Sequence, residues 1–363
     1  MVLMVIDHAR DYSAGPGVVA DPMDLGAVTP LLFVMRWLAH FCAPVFALAM
    51  GASVYLSARG RSKEAVAAKT WRRGLLLVLL EFTVIDWAWN FYPLWPRKFF
   101  QVIGALGISL VILSAFVRWD RRWALAVGAG IVALHNLTDG VRFDAASAAH
   151  YVWSFLHQKN VLPLGGGFEV RTTYPFLPVA GVALLGYGFG EWIAHGGRRL
   201  VTGGVVMLGA FFALRMGIGY GDASLFAPQR DALLTVFSAL NVTKYPLSLQ
   251  FVLMTLGPAW IGLGLRERYD GWLDRALRLL GRVPMCFYVV HLYLVHAFAL
   301  IWAAAAGLGG PDWRRFGGVP AGFGFPLWVT IPFALFVVAA SYPVCRWYEA
   351  LRASRRYRWT EYL

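Results

Sequence analysis

Long apolar segments in close succession are the feature that most constrains how this chain can fold. They follow one another along nearly the whole chain, and a helix of about 20 apolar residues crosses the hydrocarbon layer of a membrane. Of the 363 residues, 59% are hydrophobic and 15% are charged, whereas soluble domains carry about a quarter charged residues. The sequence therefore predicts an all-α, polytopic transmembrane helix bundle. Because no long polar linker interrupts the pattern, we expect a single domain over residues 1–363.

Nine full membrane spans are predicted from these segments. They lie near residues 31–57, 74–92, 99–117, 122–137, 174–194, 200–215, 245–265, 283–305 and 325–346. Residues 1–6 are also apolar, but six residues of helix rise only about 9 Å and cannot cross a membrane. We interpret them as the end of a tenth span whose first part is missing. The expected bundle thus has about ten spans, of which the first is truncated.

The distribution of positive charge predicts how the spans are oriented. Cytoplasmic loops of membrane proteins collect Lys and Arg, and 21 of the 33 such residues lie in four short connections and the C-terminal tail. These connections are residues 58–73, 118–122, 195–199 and 266–282. The pattern predicts a cytoplasmic C-terminus. The net charge is +13, but the basic residues lie in short clusters between apolar segments and do not form a stripe with interleaved aromatic residues, so we expect no nucleic-acid partner.

Ionisable residues inside a membrane are costly and are therefore candidates for function. Asp7, His8 and Asp11 lie close together where the first helix would reach the outer surface. An Asp beside a His can orient the imidazole for general-base catalysis, although a solvated helix end explains the cluster equally well. Glu81 and Asp86 place acids along the third predicted span, where they could partner histidines or carry protons.

Three further candidates lie in the predicted spans 31–57 and 283–305. Arg36 and His40 are one helical turn apart and share a face, and His291 lies near the middle of its span. The alternative for His40 is a structural bridge between two helices. His296 follows His291 by five positions, which separates them by about 140° around the helix. They cannot form a two-histidine metal grip, and we expect no metal.

Five ordered blocks of the sequence resemble a known family. They are MVLMVIDHARDY, WLAHFCAPVFALAMGASVYLS, KYPLSLQFVLMTLGPAW, GRVPMCFYVVHLYLVH and SYPVCRWYEALR. These blocks resemble the bacterial relatives of heparan-α-glucosaminide N-acetyltransferase, which are multi-span membrane acyltransferases. The resemblance implies a multi-pass protein of the bacterial inner membrane, embedded in the lipid bilayer. It also implies transfer of an acetyl group from cytoplasmic acetyl-CoA to a sugar or glycan on the outer side.

The resemblance also implies roles for individual residues. Aligning LMVID and His8 with the family's first span puts His8 where the lysosomal enzyme has a functional Asn and the wider superfamily a motif His. We therefore expect His8 to act as base, held by Asp7 or Asp11. The lysosomal enzyme's catalytic His stands in a His-Ala-Ser-Trp-Asn loop that this chain lacks, since residues 9–39 contain no histidine. His40 and Arg36 rank second and His291 third as catalytic candidates.

Basic residues of two connections are candidates for binding the phosphates of CoA, because Arg and Lys are good phosphate partners. They are Arg59, Arg61, Lys63, Arg72, Arg73, Arg278 and Arg282. Ordinary positive charge on cytoplasmic loops accounts for them equally well.

Two other functions stay open at this point. Buried acids and histidines also occur in proton-coupled or small-solute transporters, but the halves of this chain show no clear internal repeat. A non-catalytic family member is the third possibility. The acceptor, the choice between N- and O-acylation, and a homodimer are all left open by the sequence.

Overall fold

A computed structural model describes residues 1–15, 21–92, 96–266, 271–312 and 316–362 of the chain, and these residues are mostly helical. The α-helices are α1 (Val2–Ser13), α2 (Pro30–His40), α3 (Cys42–Ser57), α4 (Lys63–Leu80), α5 (Asp86–Asn90), α6 (Val102–Phe116), α7 (Arg121–Leu134), α8 (Ala148–Leu156), α9 (Phe176–Gly188), α10 (Gly190–His195), α11 (Arg198–Ala213), α12 (Ala232–Leu240), α13 (Leu249–Gly264), α14 (Trp272–Arg282), α15 (Pro284–Ala305) and α16 (Leu327–Ala353).

Shorter helical segments and three strands complete the described secondary structure. Two π-helical turns, Glu81–Ile85 and Leu214–Ile218, follow α4 and α11 directly. The 3₁₀ turns are His135–Thr138, Phe316–Gly318 and Arg358–Glu361, and the strands are β1 (Arg97–Phe100), β2 (Asn160–Gly165) and β3 (Phe168–Thr172).

The prediction of a helical membrane protein is confirmed. Among the described residues, four helices are long and apolar enough to cross a membrane, namely Pro30–Ser57, Arg198–Ile218, Pro284–Ala305 and Leu327–Ala353. Three shorter apolar helices are Val102–Phe116, Phe176–Gly188 and Leu249–Gly264. All seven coincide with predicted spans, because a long apolar segment in lipid must satisfy its backbone hydrogen bonds internally.

Residue contacts divide the chain into two compact units. Unit 1 comprises Met1–Cys42, Phe82–Trp95 and Arg268–Leu363, and unit 2 comprises Ala43–Glu81 and Pro96–Glu267. Unit 1 thus brings together the beginning of the chain, a short middle segment and the end. The candidate site in unit 1 depends on this arrangement, because residues distant in sequence contact each other there.

Unit 1 is organised around α1, which packs against α2, α15 and α16. Val5 and Ala9 of this helix are completely buried. Backbone hydrogen bonds tie its end to the segment before α16: Phe325 N–H donates to the Ser13 carbonyl and Gly15 N–H to the Phe325 carbonyl, at 2.8 and 3.0 Å. These bonds and the packing fix the position of the ionisable residues on α1.

Unit 2 contains helix pairs in close contact, α4 with α6, α7 with α9, and α11 with α13. Glycines allow the backbones to approach each other. A Cβ atom at Gly186 of α9 would collide with the Leu48 carbonyl of α3, and one at Gly204 of α11 would collide with the Gly257 carbonyl of α13. Such small residues are typical of helix interfaces in membranes.

A small sheet and a run of turns connect these helices within unit 2. Strand β3 lies in the middle, parallel to β1 and antiparallel to β2. Gly165, Gly166 and Gly167 form the β2–β3 turn with φ values of +85°, +59° and +81°. Only glycine adopts such backbone angles without strain, which explains the triple-glycine sequence.

Glu81 has a structural role that differs from the one considered in the sequence. Its carboxylate accepts hydrogen bonds from the backbone N–H groups of Gln101 and Gly104, at the beginning of α6. A negative charge there satisfies donors that have no partner inside the helix and favours the helix dipole. These two hydrogen bonds give Glu81 a structural role at the beginning of α6, and a role towards a histidine or a proton stays a prediction.

Candidate active site

Two histidines from distant parts of the sequence meet in unit 1. His8 of α1 and His291 of α15 are joined by a hydrogen bond of 2.8 Å between His8 Nδ1 and His291 Nε2. Their rings are nearly parallel, with an interplanar angle of 6° and centroids 5.1 Å apart. His291 is fully buried, whereas His8 is partly exposed. The structure thus brings together two of the predicted catalytic residues.

The hydrogen bonds of His291 fix which nitrogen of His8 carries a proton. Nδ1 of His291 lies 2.8 Å from the carbonyl oxygen of Phe287, and a carbonyl oxygen only accepts, so this nitrogen donates. In a neutral imidazole the other nitrogen then has no proton and acts as an acceptor. Nε2 of His291 therefore accepts from Nδ1–H of His8. In this tautomer, the unprotonated nitrogen of His8 is Nε2, which carries the lone pair that a base needs.

Aromatic side chains enclose the histidine pair. The His8 ring makes edge-to-face contacts with Trp89 and Tyr288, with ring centroids 5.0 and 6.1 Å apart. Trp89 belongs to α5 and Tyr288 to α15, one turn before His291. These rings restrict the orientation of His8 and exclude water from its sides. The sequence analysis predicts neither residue as part of the site. Tyr288 could have been found, because it lies three positions before His291 on the same helix.

His296 has a structural role beside the pair. Its Nδ1 donates to the Ala88 carbonyl at 2.8 Å, and its ring stacks on Phe91 and Tyr12. Tyr12 in turn donates through its hydroxyl to the Trp89 carbonyl at 2.8 Å. His291 and His296 thus both contact α1, through His8 and Tyr12 respectively, and His296 also donates to α5.

The charged residues near His8 form a separate ion-pair network. Arg10 binds Asp7 at 3.0 Å and Asp11 at 2.6 Å, and Arg36 of α2 also binds Asp7. Two positive and two negative charges thus balance in a largely buried position. His291 supplies a hydrogen bond that orients His8, and the expectation that Asp7 or Asp11 also holds His8 stays a prediction. Consecutive residues of a helix point about 100° apart, and Asp7 binds Arg36 of α2.

His40 and Arg36 occupy different surroundings despite sharing a face of α2. His40 is 1% exposed at the end of the helix, and the guanidinium of Arg36 is bound to Asp7. Arg36 thereby connects α2 to α1.

The predicted CoA-binding residues are divided between the two units. Arg59, Arg61, Lys63, Arg72 and Arg73 belong to unit 2, and all but Arg73 are exposed. In unit 1, Arg278 pairs with Asp274 and Arg282 pairs with Glu349 at 2.9 Å.

Comparison with known families shows the family of the chain. The family model described as heparan-alpha-glucosaminide N-acetyltransferase, catalytic, matches residues 3–226, which is more than half of the chain. The chain belongs to this family. A search of curated proteins finds no match. The chain is therefore, in general terms, a membrane acetyltransferase.

The matched region separates the candidate residues of this heparan-alpha-glucosaminide N-acetyltransferase family member into two groups. His8, Asp7, Arg36 and His40 lie within it, whereas His291 lies 65 positions beyond its end. The resemblance noted in the later sequence blocks is outside the matched residues. Tertiary contact links His291 to the matched region, since its hydrogen-bond partner His8 lies inside that region.

Proposed function

We propose that this protein transfers an acetyl group from acetyl-CoA to an amine or hydroxyl of a sugar or glycan, with His8 as the general base. The hydrogen bond between His8 and His291 is the observation that carries this proposal. It holds the imidazole in one tautomer and one orientation, which general-base catalysis requires. Family membership supports the acetyl-transfer chemistry, and acetyl-CoA is the donor that the family's activity implies.

The proposed reaction proceeds by attack of the acceptor on the thioester. Nε2 of His8 removes the proton from the acceptor N–H or O–H as the acceptor atom bonds to the acetyl carbonyl carbon. The C–S bond then breaks, and the proton on His8 passes to the leaving CoA thiolate. The imidazolium formed in between shares its Nδ1–H with His291, which accepts it through Nε2. His291 is thus a positioning residue, comparable in role to the group that orients the base in a catalytic triad.

In this proposal, the ion-pair network holds α1 in position. Asp7, Asp11 and Arg36 were considered as catalytic residues in the sequence. The pair of Asp7 and Arg36 joins α1 to α2, and Arg10 links Asp7 to Asp11 within α1, so these residues support the position of α1. His40 remains a second candidate for contact with substrate because it lies one turn beyond Arg36 on α2.

We further propose that exposed basic residues bind the phosphates of CoA. Arg61 and Arg72 in unit 2 are exposed. Arg278 and Arg282 are each paired with a carboxylate, so a phosphate must compete for them. We therefore assign the stronger contribution to the basic residues between Arg59 and Arg73.

The proposed setting is the bacterial inner membrane, with about ten spans in a single functional domain and a cytoplasmic C-terminus. The positive charge of the short connections supports this orientation. Helix α14 supports it too, because it exposes Trp272, Leu273 and Leu277 together with Arg275. A short helix that combines exposed apolar and basic residues suits the surface of a membrane with anionic lipids.

The test of this function is release of free CoA from acetyl-CoA by the purified, detergent-solubilised protein with a panel of amino sugars and glycans. We expect acceptor-dependent release, reduced about 10²-fold or more by His8→Ala. His195→Ala is the matched control, because His195 is exposed on α10 and should leave turnover unchanged.

Each outcome separates the candidate functions. Acetyl-CoA turnover that survives His8→Ala would refute the assigned base but keep the acetyltransferase. A protein that binds no acetyl-CoA, yet remains folded by size-exclusion chromatography and thermal unfolding, would instead favour a transporter or a non-catalytic family member.

A further inference from the structure

A second group of ionisable side chains lies in unit 2, apart from the residues assigned to acetyl transfer. It consists of His135, at the end of α7, Asp139, in the turn that follows, and His157, directly after α8. One ligand atom from each of these residues lies within 4.8 Å of the others. His135 and His157 are buried, whereas the Asp139 side chain is 27% exposed. We propose that these three residues bind a divalent transition-metal ion, with zinc as the favoured ion.

The distances within this cluster suit ligands of one ion. His135 Nδ1 lies 3.1 Å from His157 Nε2, and His157 Nε2 lies 3.6 Å from Asp139 Oδ1. Zinc binds nitrogen and oxygen at about 2.0–2.2 Å in tetrahedral geometry, which separates neighbouring ligand atoms by roughly 3.4 Å. The distance of 3.6 Å is too long for a good hydrogen bond. Both distances, 3.1 and 3.6 Å, are close to the separation of two ligands of one ion.

Neighbouring groups hold the ligands in these positions. Asn136 donates to the second oxygen of Asp139 at 2.9 Å, and the Asn136 amide oxygen accepts from Leu249 N–H, also at 2.9 Å. The His157 ring stacks on Trp153 with an interplanar angle of 11°. Partners of this kind orient metal ligands and are a regular part of metal sites.

Hydrogen bonds of His157 would change on metal binding. The guanidinium of Arg142 donates to the backbone carbonyls of Asp139 and Val141, and the Asp139 carboxylate supplies negative charge beside His157. Without an ion, Nε2–H of His157 lies 2.9 Å from the His135 carbonyl. Metal binding replaces this proton, and His157 takes the tautomer with its proton on Nδ1. The His135 carbonyl oxygen then lies beside the ion, where it or a water can complete the coordination.

The proposed metal joins two segments that are separate in sequence. His135 and Asp139 come from the end of α7, and His157 comes from the connection between α8 and β2. The ion would cross-link these segments, which makes the site structural and independent of acetyl transfer. Its ligands are two nitrogens and one oxygen, a set that zinc shares with Co²⁺. Cobalt is therefore a suitable spectroscopic probe.

The test uses the full-length, tag-free protein, treated with chelator and dialysed. Titration with Co²⁺ should produce visible absorption of low-symmetry cobalt, saturating at one ion per chain and lost on addition of Zn²⁺. Thermal unfolding should shift upwards by about 5 °C with Zn²⁺ at a hundredfold excess over its Kd. Both effects should disappear in Asp139→Asn and His157→Gln.

The control variant changes a histidine that lies near the proposed site and is not one of its ligands. His150→Gln changes the histidine within α8 and should bind cobalt like the unmodified protein. If His157→Gln fails to fold, Asp139→Asn decides alone, because its side chain is partly exposed. Absence of saturable binding by the folded protein would overturn the proposal. So would undiminished binding by Asp139→Asn and His157→Gln, because the ion would then lie elsewhere.

Discussion

Removing the acceptor that orients His8 gives the sharpest test of the proposed active site. His291→Leu places an apolar side chain in a fully buried position and removes the nitrogen that accepts a hydrogen bond from His8. Nδ1–H of His8 then loses its partner, and His8 is free to adopt the other tautomer or rotate. Loss of a buried hydrogen-bond partner costs about 1–3 kcal/mol. Expressed fully in the transition state, this corresponds to about a 5-fold to 150-fold loss of kcat/KM.

A double-mutant cycle distinguishes positioning from other effects. If His291 acts only through His8, the variant His8→Ala/His291→Leu should be no slower than His8→Ala alone. The assay is CoA release under initial-rate conditions with the best acceptor of the sugar panel. His291→Gln offers a rescue, because the amide oxygen of Gln reaches the position of Nε2 and can accept from His8. We expect it to retain activity within about fivefold of the unmodified protein.

Two results would refute this reasoning. The first is a loss of activity on adding His291→Leu to His8→Ala that equals the loss caused by His291→Leu in the unmodified protein. The second is full activity of His291→Leu in protein with an unchanged thermal midpoint. Either result would show that the observed hydrogen bond does not serve the reaction.

Three further predictions address stability and donor binding. Asp7→Asn removes one carboxylate from a buried network and should lower the free energy of unfolding by about 3–5 kcal/mol, measured as a lower Tm in detergent. The control Glu191→Gln changes an exposed ion pair and should lower it by less than about 1 kcal/mol. Gly186→Ala should lower Tm because its Cβ would collide with a neighbouring backbone, while Gly209→Ala, which meets open space, should not. Arg72→Gln should raise the KM for acetyl-CoA about 3-fold to 10-fold with kcat unchanged; an unchanged KM would remove Arg72 from the donor site.

Much of the secondary structure was predictable because membrane helices have a strong local signal. The apolar segments predicted α11, α15 and α16 to within a few residues at most ends, since lipid forces the backbone to satisfy its own hydrogen bonds. The turn at Gly165 also has a local cause, because glycine tolerates positive φ. The sequence analysis did not predict the small sheet, in which β1 pairs with β3 from a distant part of the chain.

The candidate site was predictable only in its parts. Buried ionisable residues are rare in membrane proteins, so His8, His40 and His291 could be selected from the sequence. Their partners could not, because the sequence does not show which way a side chain points or which helices are neighbours. Thus Asp7 was paired with His8 by proximity in the chain, whereas the folded helix directs it to Arg10 and Arg36.

The sequence by itself determined that the chain is a helical membrane protein and which family it resembles. Both depend on features read along the chain, namely segment length, hydropathy and ordered sequence blocks. Only the tertiary structure decided that His291 accepts from His8 and that His135, Asp139 and His157 converge in unit 2. The physical reason is that a hydrogen bond or a metal site needs atoms within about 3–4 Å, and packing alone brings residues this close when they are 18 or 283 positions apart.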